Sequence, residues 1–587
     1  MTPANLPTYI RLILCISIAC TLFSCNKGSN NETNQDASLT VTVSGLEDYM
    51  LDETPIELTS KHGSRSTAGA SVGGNKLNTP FSLDNDGKEH EMYFSNDFDI
   101  DFEIVKTHPA SAVATNTRSG NEEARMSTKN LRMVSRPIGG SIRCRILIYR
   151  ENETTPIINV ESTGSSFPPV AIASGFNYRW IAVSTNESTS SPTVTNNIVS
   201  AAQIANKDFL YAAGTIFTQF GQNNLNIVLR RYTSQVVLTV DTRGMFGSIA
   251  ANSNLSFAIG SGGALSETAD FNVRDSSFSN FQASALSSNN MTSTTAGVSV
   301  GAIYTVRPRP VTAGSLQLRL NPLNLTLDDG STRTFADNTI NFGSAFSPVR
   351  GSSYAVTARL IESGIRVGTS PIRWARSNLT FQAAAPAGFR YRFRPHPINY
   401  SFSANVDLWN FGTNTPTGAT FNSVDVCRSV YPAGTWRLPT PAEYQALGLP
   451  NSLEGYTPLL LGGAGIAANW DRSSTQPANP AYAGMDQLRL GFYGFRTATG
   501  LLVQQPALVV ALLGGQGHYY TETFNGDATA PATIRPAFFR MSYSGVNLVG
   551  LVNVLDGYSQ TIIQNDATTT FTQGRSIRCV RTVNPAI

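Results

Sequence analysis

One stretch fixes more of this chain's architecture than any other: Cys427 to Leu447, reading C-R-S-V-Y-P-A-G-T-W-R-L-P-T-P-A-E-Y-Q-A-L. Pro432 and Gly434 punctuate a turn, and Trp436 offers a large apolar anchor. Thr440, Pro441 and Glu443 spell a helix start, with a capping hydroxyl, a proline in the first turn and a carboxylate three residues after the cap. Tyr444 and Leu447 then fall on one helix face. Trp436, Arg437, Leu438, Pro439 and Glu443 therefore read as a scaffold motif, not as a binding or catalytic set.

The N-terminus gives the destination. Arg11 precedes an apolar run from Leu12 to Phe23, the length of a secretory core and too short to span a bilayer. Leu22-Phe23-Ser24-Cys25 resembles a bacterial lipobox, which implies cleavage before Cys25 and a lipid on its thiol. Residues 1–25 are thus expected to be a lipoprotein signal and 26–36 a polar tether, leading to the surface of the outer membrane. Only 14% of residues are charged, below the roughly 25% of average proteins, as suits an exported β-protein. A net charge of +3 gives no reason to expect nucleic acid. Cys15 and Cys20 leave with the signal, so three thiols remain. Cys427 and Cys579 share the C-terminal part and are expected to pair, while Cys144 reads as a buried apolar residue.

Leu39, Val41 and Val43 alternate with Thr40 and Thr42 in a half-buried strand pattern. The next stretch is polar, with one strand expected from Met92 to Val105. Further strands are expected near 142–149, 157–160 and 178–184, and no segment holds a sustained helical period. A second set follows at 225–230, 235–240, 255–259, 297–306, 315–320 and 353–360, with 276–295 expected as a long polar loop. The resulting fold class is mainly β: two tandem antiparallel β-sandwiches, 37–205 and 206–365, followed by an α+β module over 366–587.

Three blocks carry a family resemblance: Phe176-Asn-Tyr-Arg-Trp-Ile-Ala-Val-Ser, Asp208-Phe-Leu-Tyr-Ala-Ala-Gly-Thr and Leu225-Asn-Ile-Val-Leu-Arg-Arg-Tyr. With the lipobox, they make residues 37–362 similar to the fimbrillins, two-sandwich pilin lipoproteins. Residues 371–587 contain four of the five tryptophans, beginning with Trp374-Ala-Arg-Ser-Asn-Leu and ending with Arg578-Cys-Val-Arg. In order with the opening motif, these blocks resemble the Fibrobacter succinogenes major paralogous domain, which has a C-type-lectin-like fold. Tyr431, Thr435 and Tyr519-Tyr-Thr depart from its pattern.

No enzyme motif appears, and the five histidines (His62, His90, His108, His396, His518) lack metal-ligand spacing. No metal, cofactor or catalysis is expected, and the Gln476-Pro-Ala and Asn469-Trp-Asp fragments fall short of a calcium site. Residues 366–587 hold 16 arginines and no lysine against 10 Asp and Glu, an excess of six positive charges. Arg390, Arg392 and Arg394 alternate and mark a candidate face for an anionic ligand, against the alternative of internal pairing.

The fimbrillin resemblance implies assembly by β-strand addition. Leu39–Val43 is the candidate displaced strand and Arg65 the candidate protease site. Little strand-like sequence follows Arg581, and Pro585 disfavours a ladder, so the chain is expected to accept a strand without giving one. That suggests a pilus tip adhesin in a fimbrium, partnered by pilin subunits and by a host or bacterial glycan or protein. The alternative is a free-standing surface lipoprotein.

Overall fold

The computed structural model describes residues 36–48, 89–95, 97–107, 134–163, 167–259, 266–284, 288–306, 316–342, 348–456, 465–503, 514–543 and 557–582. Cys25, the polar tether and Arg65 lie outside the described residues. The fold is mainly β, divided into two compact units.

The first unit combines the first strand with Arg136–Ser191 and Tyr211–Leu229. Its strand Ala37–Asp48 is internal to an eight-stranded sheet, with Gly221–Arg231 as one neighbour and Val170–Ile172 and Val134–Arg136 on the other side. Its alternation works as read: Leu39, Val41 and Val43 are each at most 1% exposed. Contacts with Gly221–Arg231 rise together along both strands, Asp36 with Gly221 and Ser44 with Ile227, so the two run parallel. Cys144 is free and fully buried in Arg143–Arg150. Burial pushes its thiol up to about 11, which keeps it unreactive at neutral pH.

The second unit holds the rest. A six-stranded sheet runs Thr292–Thr295, Val298–Thr305, Ser234–Gly244, Ser353–Glu362, Phe98–Thr107 and Glu89–Tyr93. Ser234–Gly244 pairs with Ser353–Glu362 in parallel, and Leu255–Ile259, Leu316–Leu320, Leu323–Leu327 and Asn338–Asn341, which lie between them in sequence, contribute the opposing layer. Leu238, Val240, Val356 and Phe98 face Phe257, Leu318, Leu325 and Ile340 across a sandwich core.

Three expectations are corrected. The single strand from Met92 to Val105 is a hairpin, with Tyr93 opposite Ile100, because Ser95 and Asp97 make a turn in which Ser95 Oγ accepts from both Asp97 N and Phe98 N. That hairpin belongs to the second unit and not to the sandwich expected over 37–205, since Phe98–Thr107 pairs along its whole length with Ser353–Glu362. The polar segment 276–295 contains strands Ser277–Ala283, Ser288–Asn290 and Thr292–Thr295. With polar residues on both faces, such edge strands leave no periodic signal.

Nor does the described chain change compact unit at residue 365. Tyr482 and Met485 enter the core of the six-stranded sandwich, and Phe246 and Ile361 pack with Trp436 and Cys427. Residues beyond 366 form small sheets, the most informative being Ile365–Arg366, Arg373–Trp374, Val580–Arg581 and Trp436–Arg437 in that order.

Candidate functional site

The motif Cys427–Leu447 is tied into the fold along most of its length, and its last residue, Leu447, lines a cleft. The Asp425 carboxylate accepts from Cys427 N at 3.0 Å and from Leu438 N, holding both sides of the turn. Thr440 and Glu443 form a complete capping box at the start of the helix Pro441–Gln445. Arg437 closes a two-pronged bond on Glu443 at 2.9 and 2.5 Å. Burial works against the Glu443 carboxylate, but Arg437 and the Thr440 N–H hold it below its ordinary value. Trp436 is fully buried, edge-on to Phe393 at 4.9 Å and capped by the Arg581 guanidinium 4.0 Å from its ring. Tyr444 stacks on Phe539 at 4.8 Å. Cys427 and Cys579 are joined as a disulfide. Tyr431, where the family pattern is broken, donates to Asp241 Oδ2 at 2.5 Å and so ties this turn to the strand Ser234–Gly244.

The candidate anionic face does not exist as expected. Regular strand covers only Tyr391–Phe393. Arg392 is paired with Asp328 at 2.8 Å, and Arg394 grips the buried Asp407 with two bonds of 2.8 and 2.7 Å. Arg390 is exposed and donates to the carbonyl of Ala385. Two of the three charges are already neutralised by aspartates far enough away in sequence to be invisible to a spacing argument.

Most of the arginine excess is consumed in the same way. Arg581 donates to Asp99 at 2.6 Å and to the Glu362 carbonyl at 2.7 Å, and Arg373 reaches the other Asp99 oxygen at 3.4 Å. Arg376 donates to the carbonyls of Ser363 and Met485 over the Tyr482 ring. Arg578 serves Ala375 and Arg489 carbonyls, and Arg496 serves Asn410 and Pro416. A guanidinium has five donors in a fixed fork, so buried arginines here satisfy irregular backbone that no ladder pairs.

His518, one of the five histidines without metal-ligand spacing, is 4% exposed and stacked between Phe495 and Phe538 at 4.9 and 5.0 Å. Burial first, then Arg575 and Arg540, push it well below the ordinary histidine value. The folded ring resists a proton that the unfolded chain accepts near pH 6.5. Its contribution to stability is therefore present above about pH 6.5 and lost as pH falls, by up to about 1.4 kcal/mol per pH unit. Urea midpoints of His518→Phe should fall less steeply than the parent's between about pH 6.5 and 5. His396, also lowered by burial, leaves a residual slope.

Among the described residues, two places stand out as able to take a partner. One is the track of Leu39, Val41 and Val43 inside the first sheet. The other is a cleft of about 480 Å³ between Arg366–Ser370, Leu447–Asn451 and Trp470–Thr475, which sequence reading missed because its walls are short loops without a motif. Among the described residues no three His, Cys, Asp or Glu gather into a metal-binding group, and no helix is long and apolar enough to cross a membrane.

No protein of curated function matches the chain. Among solved structures, a Bacteroides uniformis protein titled for cell adhesion shares 12% identity over 38% of this chain and 92% of its own, with a TM-score of 0.24. A Bacteroides fragilis cell adhesion protein gives 12% over 41% and 88%, TM-score 0.28. A fimbrial assembly protein of Parabacteroides distasonis gives 10% over 37% and 82%, TM-score 0.21. Residues 174–373, which run from the second half of the first sheet to the start of the C-terminal part, match the Fimbrillin-like family.

Proposed function

We propose that this protein is a surface-exported fimbrial subunit, a pilus tip adhesin that accepts a donated strand and presents its C-terminal part for binding. The observation that carries it is the first strand. Ala37–Asp48 lies inside its sheet, paired on both sides, with its apolar face sealed. Residues 49–88 separate it in sequence from the next described strand, Glu89–Tyr93. Cutting there, with Arg65 the candidate position, releases a strand whose removal leaves two sheet edges and an apolar track that a strand of the same pattern fills. The last described strand, Val580–Arg581, is held between Arg373–Trp374 and Trp436–Arg437 beside the Cys579 disulfide. Lipid on Cys25 would anchor the chain to the outer membrane before cutting. No catalytic role is part of this reading.

The test is strand uptake. A specific protease site placed within residues 49–88 is cut, and labelled peptide 37–48 is added under mild denaturant. The cut chain should take up the peptide, the uncut chain should not, and a Val41→Asp peptide should fail. No uptake by the cut chain overturns the reading. N-terminal sequencing from cells separates the alternative: a lipidated Cys25 on the mature surface protein favours a free-standing lipoprotein, and a start after Arg65 favours the fimbrium.

A further inference from the structure

We propose that the cleft between Arg366 and Arg472 is a binding site for an acidic sugar residue, a uronate, sialate or sulfated ring. The inference deepens the adhesin reading and rests on it for its biological meaning, though not for its chemistry.

The first observation is a contrast in how arginines are used. Arg373, Arg376, Arg437, Arg496, Arg578 and Arg581 each commit at least one donor to a partner inside the fold, although the Nε of Arg373, Arg578 and Arg581 is also unbonded. Arg472 is different. Among the described residues it has no ion pair and no side-chain hydrogen bond, and its Nε is buried without a partner. Arg366 has one side-chain bond, to Thr475 Oγ1 at 3.1 Å, and no carboxylate partner; its Nε is likewise buried and unbonded. Burial and the nearby Arg373 push its guanidinium below the ordinary arginine value. A half-buried cation with free donors is the arrangement an anion improves most.

The second observation is that both arginines are held in place around an open volume. Val367 bridges Arg472, and Ser473 N donates to Arg366 O at 2.9 Å, so the two residues lie on adjoining strands of backbone. Gln476, 1% exposed, accepts from Arg366 N at 2.8 Å and donates to Gly364 O at 3.0 Å. The Gln-Pro fragment that cannot make a calcium site is thus the strut behind this one. The cleft's single acid, Asp471, is exposed and engaged by Gln487 Nε2 at 2.7 Å.

The lining decides the ligand class. Its volume lies within the roughly 300–1,000 Å³ of small-molecule sites. Leu447 and the 68% exposed Leu449 give one apolar wall, and Thr369, Ser370 and Ser474 give hydroxyls. An anion fork beside hydroxyls and an apolar platform suits a sugar ring bearing one carboxylate or sulfate better than an acidic peptide.

The experiment titrates the full chain with N-acetylneuraminate, glucuronate, uncharged glucose and a short poly-glutamate peptide, at low and high salt. At least one acidic sugar should bind, glucose should not, and Arg472→Gln should weaken binding by at least about fivefold. Arg366→Gln should also weaken it, Arg392→Gln should not, and the thermal midpoints of Arg472→Gln and Arg366→Gln should match the parent's. Absence of acidic-sugar binding up to about 10 mM, binding insensitive to both Arg472→Gln and Arg366→Gln, or preference for the peptide overturns the inference. A chain that takes up the strand peptide yet binds no acidic sugar loses this inference alone. One that binds the sugar and takes up no strand loses the assembly reading alone.

Discussion

Asp99→Ala should lower the stability of the second unit by about 4 kcal/mol, the loss expected when one partner of a buried ion pair is removed. Asp99 is fully buried and receives Arg581 at 2.6 Å and Arg373 at 3.4 Å, whose side chains are 1% and 8% exposed. Burial already presses the Arg581 guanidinium below its ordinary value, and the Asp99 charge is the chief influence opposing that. Without the carboxylate, two cations face each other in a dry site. Asp99 sits on the hairpin Glu89–Thr107, while Arg581 follows the disulfide at Cys579, so the change separates elements 482 residues apart in sequence. Urea unfolding followed by tryptophan emission checks it, since Trp374, Trp409, Trp436 and Trp470 are all buried in this unit. Asp101→Ala is the control. It faces Arg359, whose side chain is 21% exposed and which keeps Glu103 as a second partner, so its loss should be about 1 kcal/mol or less. Equal midpoints for Asp99→Ala and the parent would refute the role given to this pair.

The same pair shows where sequence reading stops. Leu39, Val41 and Val43 announce their strand because a pleated ribbon with one buried face repeats every two residues. Thr440, Pro441 and Glu443 announce their helix because capping is local chemistry. Both kinds of signal lie within a few residues of what they describe. Asp99 carries no such mark: its role depends on a strand pairing that crosses more than 250 residues. The Arg390–Arg394 alternation misled for the same reason, since Asp328 and Asp407 become neighbours only after folding.

Composition misled in a related way. An excess of six positive charges over 366–587 looks like an attractive surface if every arginine is taken to face water. Where two- and three-residue strands alternate with turns, as at Arg373–Trp374, Trp436–Arg437 and Val580–Arg581, carbonyls lack ladder partners, and long arginine side chains can reach them from the core. The useful quantity is the number of guanidiniums left over after the backbone has been served. Arg472 is among those left by that subtraction and lines the cleft, a result that needs coordinates.

Cys427→Ala/Cys579→Ala should lower the same unit's stability by about 3–5 kcal/mol. The bond joins residues 152 apart, and chain-entropy reasoning gives about 5 kcal/mol for closing a loop of that size, a ceiling that residual structure in the unfolded chain reduces. Both side chains are fully buried within the cluster that includes Trp436, Phe393 and Ile577, so alanine is the fair replacement; serine would add two buried hydroxyls in need of partners. The design has an internal check. Reductant under unfolding conditions should move the parent's midpoint towards the double variant's and leave the variant's own midpoint unmoved. If the bond acts as a clamp on the loop, Asp99→Ala in the disulfide-free background should cost more in cooperativity than in the parent, because Val580–Arg581 then lacks its covalent tie and leans more on its two short pairings and on the Asp99 and Glu362 bonds of Arg581. A double-mutant cycle reads that coupling directly. Strict additivity would mean that the disulfide and the buried ion pair stabilise the C-terminal strand independently, and the clamp would be wrong.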